Sequence, residues 1–274
     1  MAKAIVLLIG IAAFTGCAAR ATPSEPRLVS IPDAGARPVY RLEAIFDYRT
    51  AAATVVTIAQ RDLRFGTFPV TFEFHSNRAA FERRLLGVGY DPGLARSTAQ
   101  TMTAVGGHRR VLINEGNLDR MPWPARLALL AHELGHSLQY ELGGGTRGTS
   151  DQWLREGFAD WLSIRVLERL DAASMSDARA TRRREFRAAG RSAPRLDDLV
   201  TFRQWVAAGE RQGPAAYALA FLAVDFLLAR HDVAPVVEYF GLFAASQDRM
   251  GNFRRAFGQD LESFQAEFEA SLRR

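Results

Sequence analysis

Cysteine is almost missing: Cys17 is the only one in 274 residues. No internal disulfide can form, and no zinc ribbon or thiolate cluster is possible. Lysine is equally scarce, with Lys3 alone, so the other 34 of the 35 basic residues are arginine. Histidine occurs five times, which makes the position of each informative. No apolar run approaches the roughly 20 residues that a membrane-spanning helix needs. Apolar residues at 48% and charged residues at 24% match ordinary globular domains and exclude collagen-like, disordered and multi-span membrane chains. A net charge of +5, from 35 basic and 30 acidic residues, permits contact with an anionic surface without arguing for it. No internal repeat is present.

The amino terminus reads as an address. Met1, Ala2 and Lys3 give a short positive start, and Ala4 to Phe14 is an apolar run of signal-peptide length. Phe14-Thr15-Gly16-Cys17 resembles a bacterial lipobox, with Phe14 where leucine is usual. That resemblance implies a signal peptide over 1–16, lipidation at Cys17 and a membrane anchor of several acyl chains, which is stable where one chain is not. Ala18 in place of aspartate favours the outer membrane, on its periplasmic side, over the inner. The alternative is a secretory signal cleaved near Arg20, with Cys17 discarded. Residues 17–40 hold Pro23, Pro26, Pro32 and Pro38 and read as an extended tether.

The remainder, 41–274, reads as one α+β domain. A small sheet-bearing N-terminal lobe, 41–120, precedes a helical C-terminal lobe, 121–274. The first lobe offers a helix within 42–63, a strand at 68–74 and a helix at 78–86. Strands at 98–104 and 110–114 follow, with Gly106-Gly107 as the turn between them. The second offers helices near 124–142, 152–170, 176–189, 196–208, 214–230, 233–246 and 259–272.

His132-Glu133-Leu134-Gly135-His136 lies within the first of those helices. Residues four apart share a helix face, so His132 and His136 can bind one metal ion while Glu133, off that face, reaches a water molecule beside it. Two histidines are too few, because a catalytic zinc keeps three protein ligands and an open position. Glu156 and Asp160 in Trp153-Leu154-Arg155-Glu156-Gly157-Phe158-Ala159-Asp160-Trp161 share one face of the next helix. As bare neighbours they would repel. A metal ligand and a carboxylate that orients a ligating histidine would explain the pair.

His-Glu-Leu-Gly-His followed by Trp-Leu-Arg-Glu-Gly-Phe-Ala resembles the gluzincin metallopeptidases, in particular the small peptidase-MA-like bacterial proteins. The resemblance is specific over 121–165, looser to about 270, and does not extend to 1–65. It implies a zinc cleft between the two lobes, with one Zn2+ held by His132, His136 and Glu156. Glu133 would be the catalytic base and Asp160 the carboxylate supporting a histidine ligand. It further implies a peptide or protein substrate, hydrolysed by an activated water. Tyr217 is similar to the tyrosine that stabilises the oxyanion in many members, although with Phe221, Val224 and Leu228 it also forms an apolar helical stripe. Other readings keep the fold as a non-catalytic envelope interaction module, or turn the same chemistry on peptidoglycan peptides.

The remaining candidates read blandly. Tyr140 packs its helix, His75 and His108 face solvent beside the strands, and His231 ends a helix. The arginine run from Arg179 to Arg195 reads as a solvated helix face, and the export signal argues against nucleic acid. The strand 110–114, just before the metal helix, is either an ordinary strand or one that pairs with an extended substrate.

Overall fold

The structure is a computed structural model that describes residues 25–32 and 37–273; the signal segment, Cys17 and residues 33–36 lie outside the described residues. Strand β1, Arg27–Ile31, comes first. This corrects the reading of 17–40 as a simple tether, because part of that segment is paired into the sheet. Helix α1, Tyr48–Thr57, starts where the Asp47 side chain accepts from the Thr50 amide, and one π-helical turn, Ile58–Asp62, prolongs it. Then come β2, Val70–His75, and α2, Arg78–Gly87. Helix α3, Pro92–Thr101, occupies part of the stretch read as a strand at 98–104. Asp91 caps its first turn and Pro92 fixes the entry, signals strong enough to set the local structure. Ala95 and Ala99, four apart, bury against Phe81 and Leu85 of α2.

Strand β3, Ala104–Gly107, and β4, Arg110–Asn114, form a hairpin. Its turn is His108-Arg109, with Arg109 at φ 56°; Gly106 and Gly107, read as the turn, lie inside β3. The sheet order is β1-β2-β4-β3, with β2 and β4 parallel and the other pairs antiparallel. So β4 is an interior strand and β3 an edge. Val29, Phe72 and Val111 align across one face and enter the main apolar core, while Leu112 on the other joins α2 and α3.

A short α4, Glu115–Leu118, leads to α5, Trp123–Leu142. The chain continues through α6, Gln152–Arg169; α7, Met175–Ala188; α8, Phe202–Gln212; and α9, Pro214–Leu228. It ends with α10, Val233–Leu242; α11, Arg249–Phe257; and α12, Leu261–Leu272. The helix read at 196–208 is broken: a 3-10 turn, Leu196–Leu199, is followed by a fresh start at α8, where Thr201 and Gln204 form a capping box. Helix α11 was not anticipated; it runs from the Asp248 cap to Gly258 in the left-handed region.

Two glycines set how closely the central helices approach. A Cβ on Gly135 of α5 would lie 3.1 Å from Ala159 Cα of α6, and one on Gly157 would lie 2.2 Å from the Ala220 carbonyl oxygen of α9. These contacts bring α5, α6 and α9 together backbone to backbone. Among the described residues no helix is long and apolar enough to cross a membrane.

Candidate metal centre

Helix α5 begins with Pro122 and Pro124, which need no intrahelical N–H there, and ends at Gly143. Its middle is buried on all sides, with Leu127, Leu130, Ala131, Leu134 and Leu138 in the core. His132 and Glu133 are buried there at 3% and 4% exposure. Helix α6 crosses at Gly135 and turns Glu156 and Asp160 towards the histidines.

The three expected ligands converge. His132 Nε2 and His136 Nε2 are 3.2 Å apart, and each lies 3.5 Å from Glu156 Oε2. Donor atoms 2.0–2.1 Å from a tetrahedral ion would sit about 3.3 Å from one another, so this near-equilateral triangle has the right size.

The hydrogen bonds fix which nitrogen each imidazole turns to its centre. His132 Nδ1 lies 3.0 Å from Asp160 Oδ1, and an aspartate oxygen can only accept, so Nδ1 carries the proton. His136 Nδ1 lies 3.1 Å from Gln139 Oε1. The orientation of that amide is fixed because Gln139 Nε2 donates to the Arg155 carbonyl at 2.8 Å, so His136 Nδ1 is also protonated. Both Nε2 atoms are left to face a carboxylate oxygen and each other. Glu156 is held by its far oxygen, which accepts from Gln152 Nε2 at 2.6 Å. Burial alone would lower the His132 imidazole, but Asp160 and Glu156 outweigh it and hold it well above its ordinary value. Burial would likewise raise Glu156, yet His136 and His132 hold it well below the usual carboxylate range. The field among the three atoms favours positive charge, and His132, His136 and Glu156 can hold a metal ion.

Asp160 is itself supported, since Arg182 of α7 donates to its other oxygen at 3.0 Å. Arg182, read as part of a solvated face, is buried and also pairs with Glu185. Arg179 of the same run pairs with Asp225 of α9. His75, expected to face solvent, is 4% exposed at the end of β2, whereas His108 is exposed and joins Arg109 in binding Glu141. His231 is half-buried beside Phe257. Tyr140 lies beneath the Arg155 guanidinium, a packing contact.

Glu133 Oε2 accepts from the Gly106 amide at 2.6 Å. This joins the metal helix to the edge strand β3, and only glycine fits there. A Cβ on Gly106 would lie 2.3 Å from the Glu133 carbonyl oxygen and 2.8 Å from His136 Cβ. Because Asn114 N donates to Thr103 O, the ladder alternation turns the N–H and C=O of Ala104 and Gly106 outward, away from β4. The edge strand beside Glu133 is therefore β3, and not 110–114. A glycine pair inside an apolar alternation can mark close backbone approach as well as a turn, and that was the available signal. Nothing in the spacing marked Gln139, Gln152 or Arg182.

Tyr217 of α9 is half-buried, its ring 4.7 Å from that of Trp205. The two rings meet edge to face, and burial and then the charges of Glu156 and Asp160 push the Tyr217 hydroxyl above its ordinary value. Phe221 and Val224 of the same stripe are fully buried. The chain matches no protein-family model, no curated protein and no solved structure.

Proposed function

We propose that this protein is a zinc-dependent peptidase of gluzincin type, with its ion in a cleft between the sheet and the helical layer. The observation that supports it best is the pairing of a three-ligand triangle with an adjacent carboxylate, Glu133, that is hydrogen-bonded to the edge strand β3. The two imidazoles and one carboxylate suit zinc among the divalent ions. A bound zinc ion supplies Lewis acidity and lowers the pKa of a coordinated water. The protein's own groups do the rest. Glu133, anchored through Oε2, takes a proton from water and returns it to the leaving amine. The outward carbonyl of Gly106, on the β3 edge, is a backbone acceptor that an extended peptide can pair with, which sets the scissile bond beside Glu133. The Tyr217 hydroxyl, its ring held edge-on by Trp205, donates to the developing oxyanion. Asp160 and Gln139 hold the two histidines in the tautomer that presents Nε2.

Glu133→Gln keeps size and shape but cannot accept the proton. Hydrolysis of a peptide library should fall about 10²–10⁴-fold, with zinc content and fold retained. Undiminished cleavage by this variant would put the base elsewhere. Zinc-loaded wild-type protein that cleaves nothing would favour a binding module instead.

The same proposal includes a lipid anchor at Cys17 that holds the domain at the periplasmic face of the outer membrane. Cys17→Ser should move the protein from the detergent-requiring to the soluble fraction, and unchanged membrane partition would remove the anchor from the proposal.

A further inference from the structure

Arg155 and Arg147 stand out among the basic residues near the metal centre, because both lack a carboxylate partner. Arg155, on α6 directly before Glu156, is 2% exposed. It donates to the Arg147 carbonyl at 2.9 Å and to Ser150 Oγ at 3.2 Å, lies over the Tyr140 ring, and leaves its buried Nε without a partner. Arg147, in the loop between α5 and α6, donates to the Gln152 side-chain oxygen and lies 4.9 Å from the Phe202 ring centroid. Neither guanidinium forms an ion pair among the described residues. Arg182 shows how this fold treats a buried arginine otherwise, with two carboxylates in contact. A buried cation with only neutral acceptors is costly, and a bound anion relieves that cost.

The place of Arg147 relative to the ligands is fixed by one amide. Gln152 accepts from Arg147 and donates to Glu156, so two hydrogen bonds and one amide group separate the guanidinium from the Glu156 carboxylate, roughly 8 Å at most. Beyond Arg147 the Phe202 ring is 51% exposed and gives the subsite an apolar outer wall.

We propose that Arg147, backed by Arg155 and flanked by Phe202, is the subsite for a substrate carboxylate beside the metal centre. This rests on the peptidase reading. With an extended chain rising about 3.4 Å per residue, a carboxylate at Arg147 lies one or two residues from the scissile bond. Its source is either the free C-terminus of a peptide or an acidic side chain. Guanidinium geometry suits both, through paired N–H donors.

The test compares four peptide sets on zinc-loaded protein: free-acid against amidated C-termini, and Asp or Glu against Asn or Gln within amidated peptides. Wild-type protein should favour a carboxylate at least about tenfold in kcat/KM, mainly through KM, as expected for one charge-assisted pair. The ratio should fall towards unity in Arg147→Met, and Arg147→Glu should shift preference towards basic peptides. Preference confined to free-acid termini identifies the C-terminus as the source, and preference among the amidated peptides identifies the side chain. Arg147→Gln, which keeps a donor for Gln152, serves where Arg147→Met loses zinc. Hydrolysis without any carboxylate preference, or a preference that survives in the variants, overturns the subsite and leaves the peptidase reading standing. Calorimetric binding of the same peptides to zinc-loaded Glu133→Gln reads the subsite without turnover. An Arg147-dependent carboxylate preference there, with no hydrolysis by wild type, upholds the subsite and overturns the peptidase.

Discussion

On the sheet, Glu73 of β2 receives both arms of Arg84 at 2.6 and 2.9 Å, and His75 lies 3.8 Å away from the same carboxylate. In the helical layer, Glu156 faces two histidines at 3.5 Å, and the nearest paired arginine, Arg182, binds Asp160 instead. Both glutamates are buried, and both clusters use histidine, glutamate and arginine. In the first, the arginine neutralises the glutamate directly, and no ligand is needed. In the second, the arginine sits one residue further out, where it fixes Asp160 and leaves Glu156 with charge to spare. What distinguishes a candidate metal centre from a structural ion pair is thus the order in which partners are connected, and not which residues are present.

That contrast can be broken most sharply by metal analysis. Glu156→Ala or His132→Ala should abolish stoichiometric zinc, because two remaining ligands hold the ion poorly. Asp160→Asn should bind it about 10–100-fold more weakly, as read by competition with a chromophoric chelator. Glu73→Gln should leave zinc binding unchanged. Full zinc content in Glu156→Ala, or zinc loss in Glu73→Gln, would dissolve the distinction between the two clusters.

A smaller effect sharpens it from the sheet side. Burial would raise the Glu73 carboxyl, but His75 and Arg84 outweigh it and hold it down at about 2. A depressed carboxylate stabilises the fold fully above its unfolded value, near 4.5, and that stability is lost as pH falls through the folded value. Urea unfolding should therefore show a loss between about pH 4.5 and 2 that is reduced in Glu73→Gln. The difference should be about 1–2 kcal/mol, below the full linkage value because the Arg84 side of the pair meets solvent. An identical acid profile in the two proteins would mean that Arg84 contributes nothing to holding Glu73 ionised.

The sequence exposed some of this design and hid the rest for physical reasons. His132, His136, Glu156 and Asp160 were legible because helix periodicity converts a spacing of four into a shared face. The strand at 110–114 and most helix limits were legible from caps and apolar patterns. Strand β1 was hidden because five residues among prolines carry no periodicity, and its pairing partner, β2, lies some forty positions away. The glutamines that orient His136 and Glu156 were hidden too, since an amide near a metal helix looks like any other polar residue. Arg182 was masked by its arginine neighbours, and only the packing of α7 against α9 singles it out.

The position of β3 at the sheet edge has a consequence for solubility. An open strand edge invites another sheet to add to it and seed aggregation. Here that hazard is contained: the edge is four residues long, includes Gly106 and Gly107, and has its Gly106 amide already engaged by Glu133. The hairpin turn behind it is tied to the end of α5 through His108, Arg109 and Glu141. An edge so short and so buttressed by a helix is poorly shaped for a neighbouring sheet, which would need a long, flat run of partners.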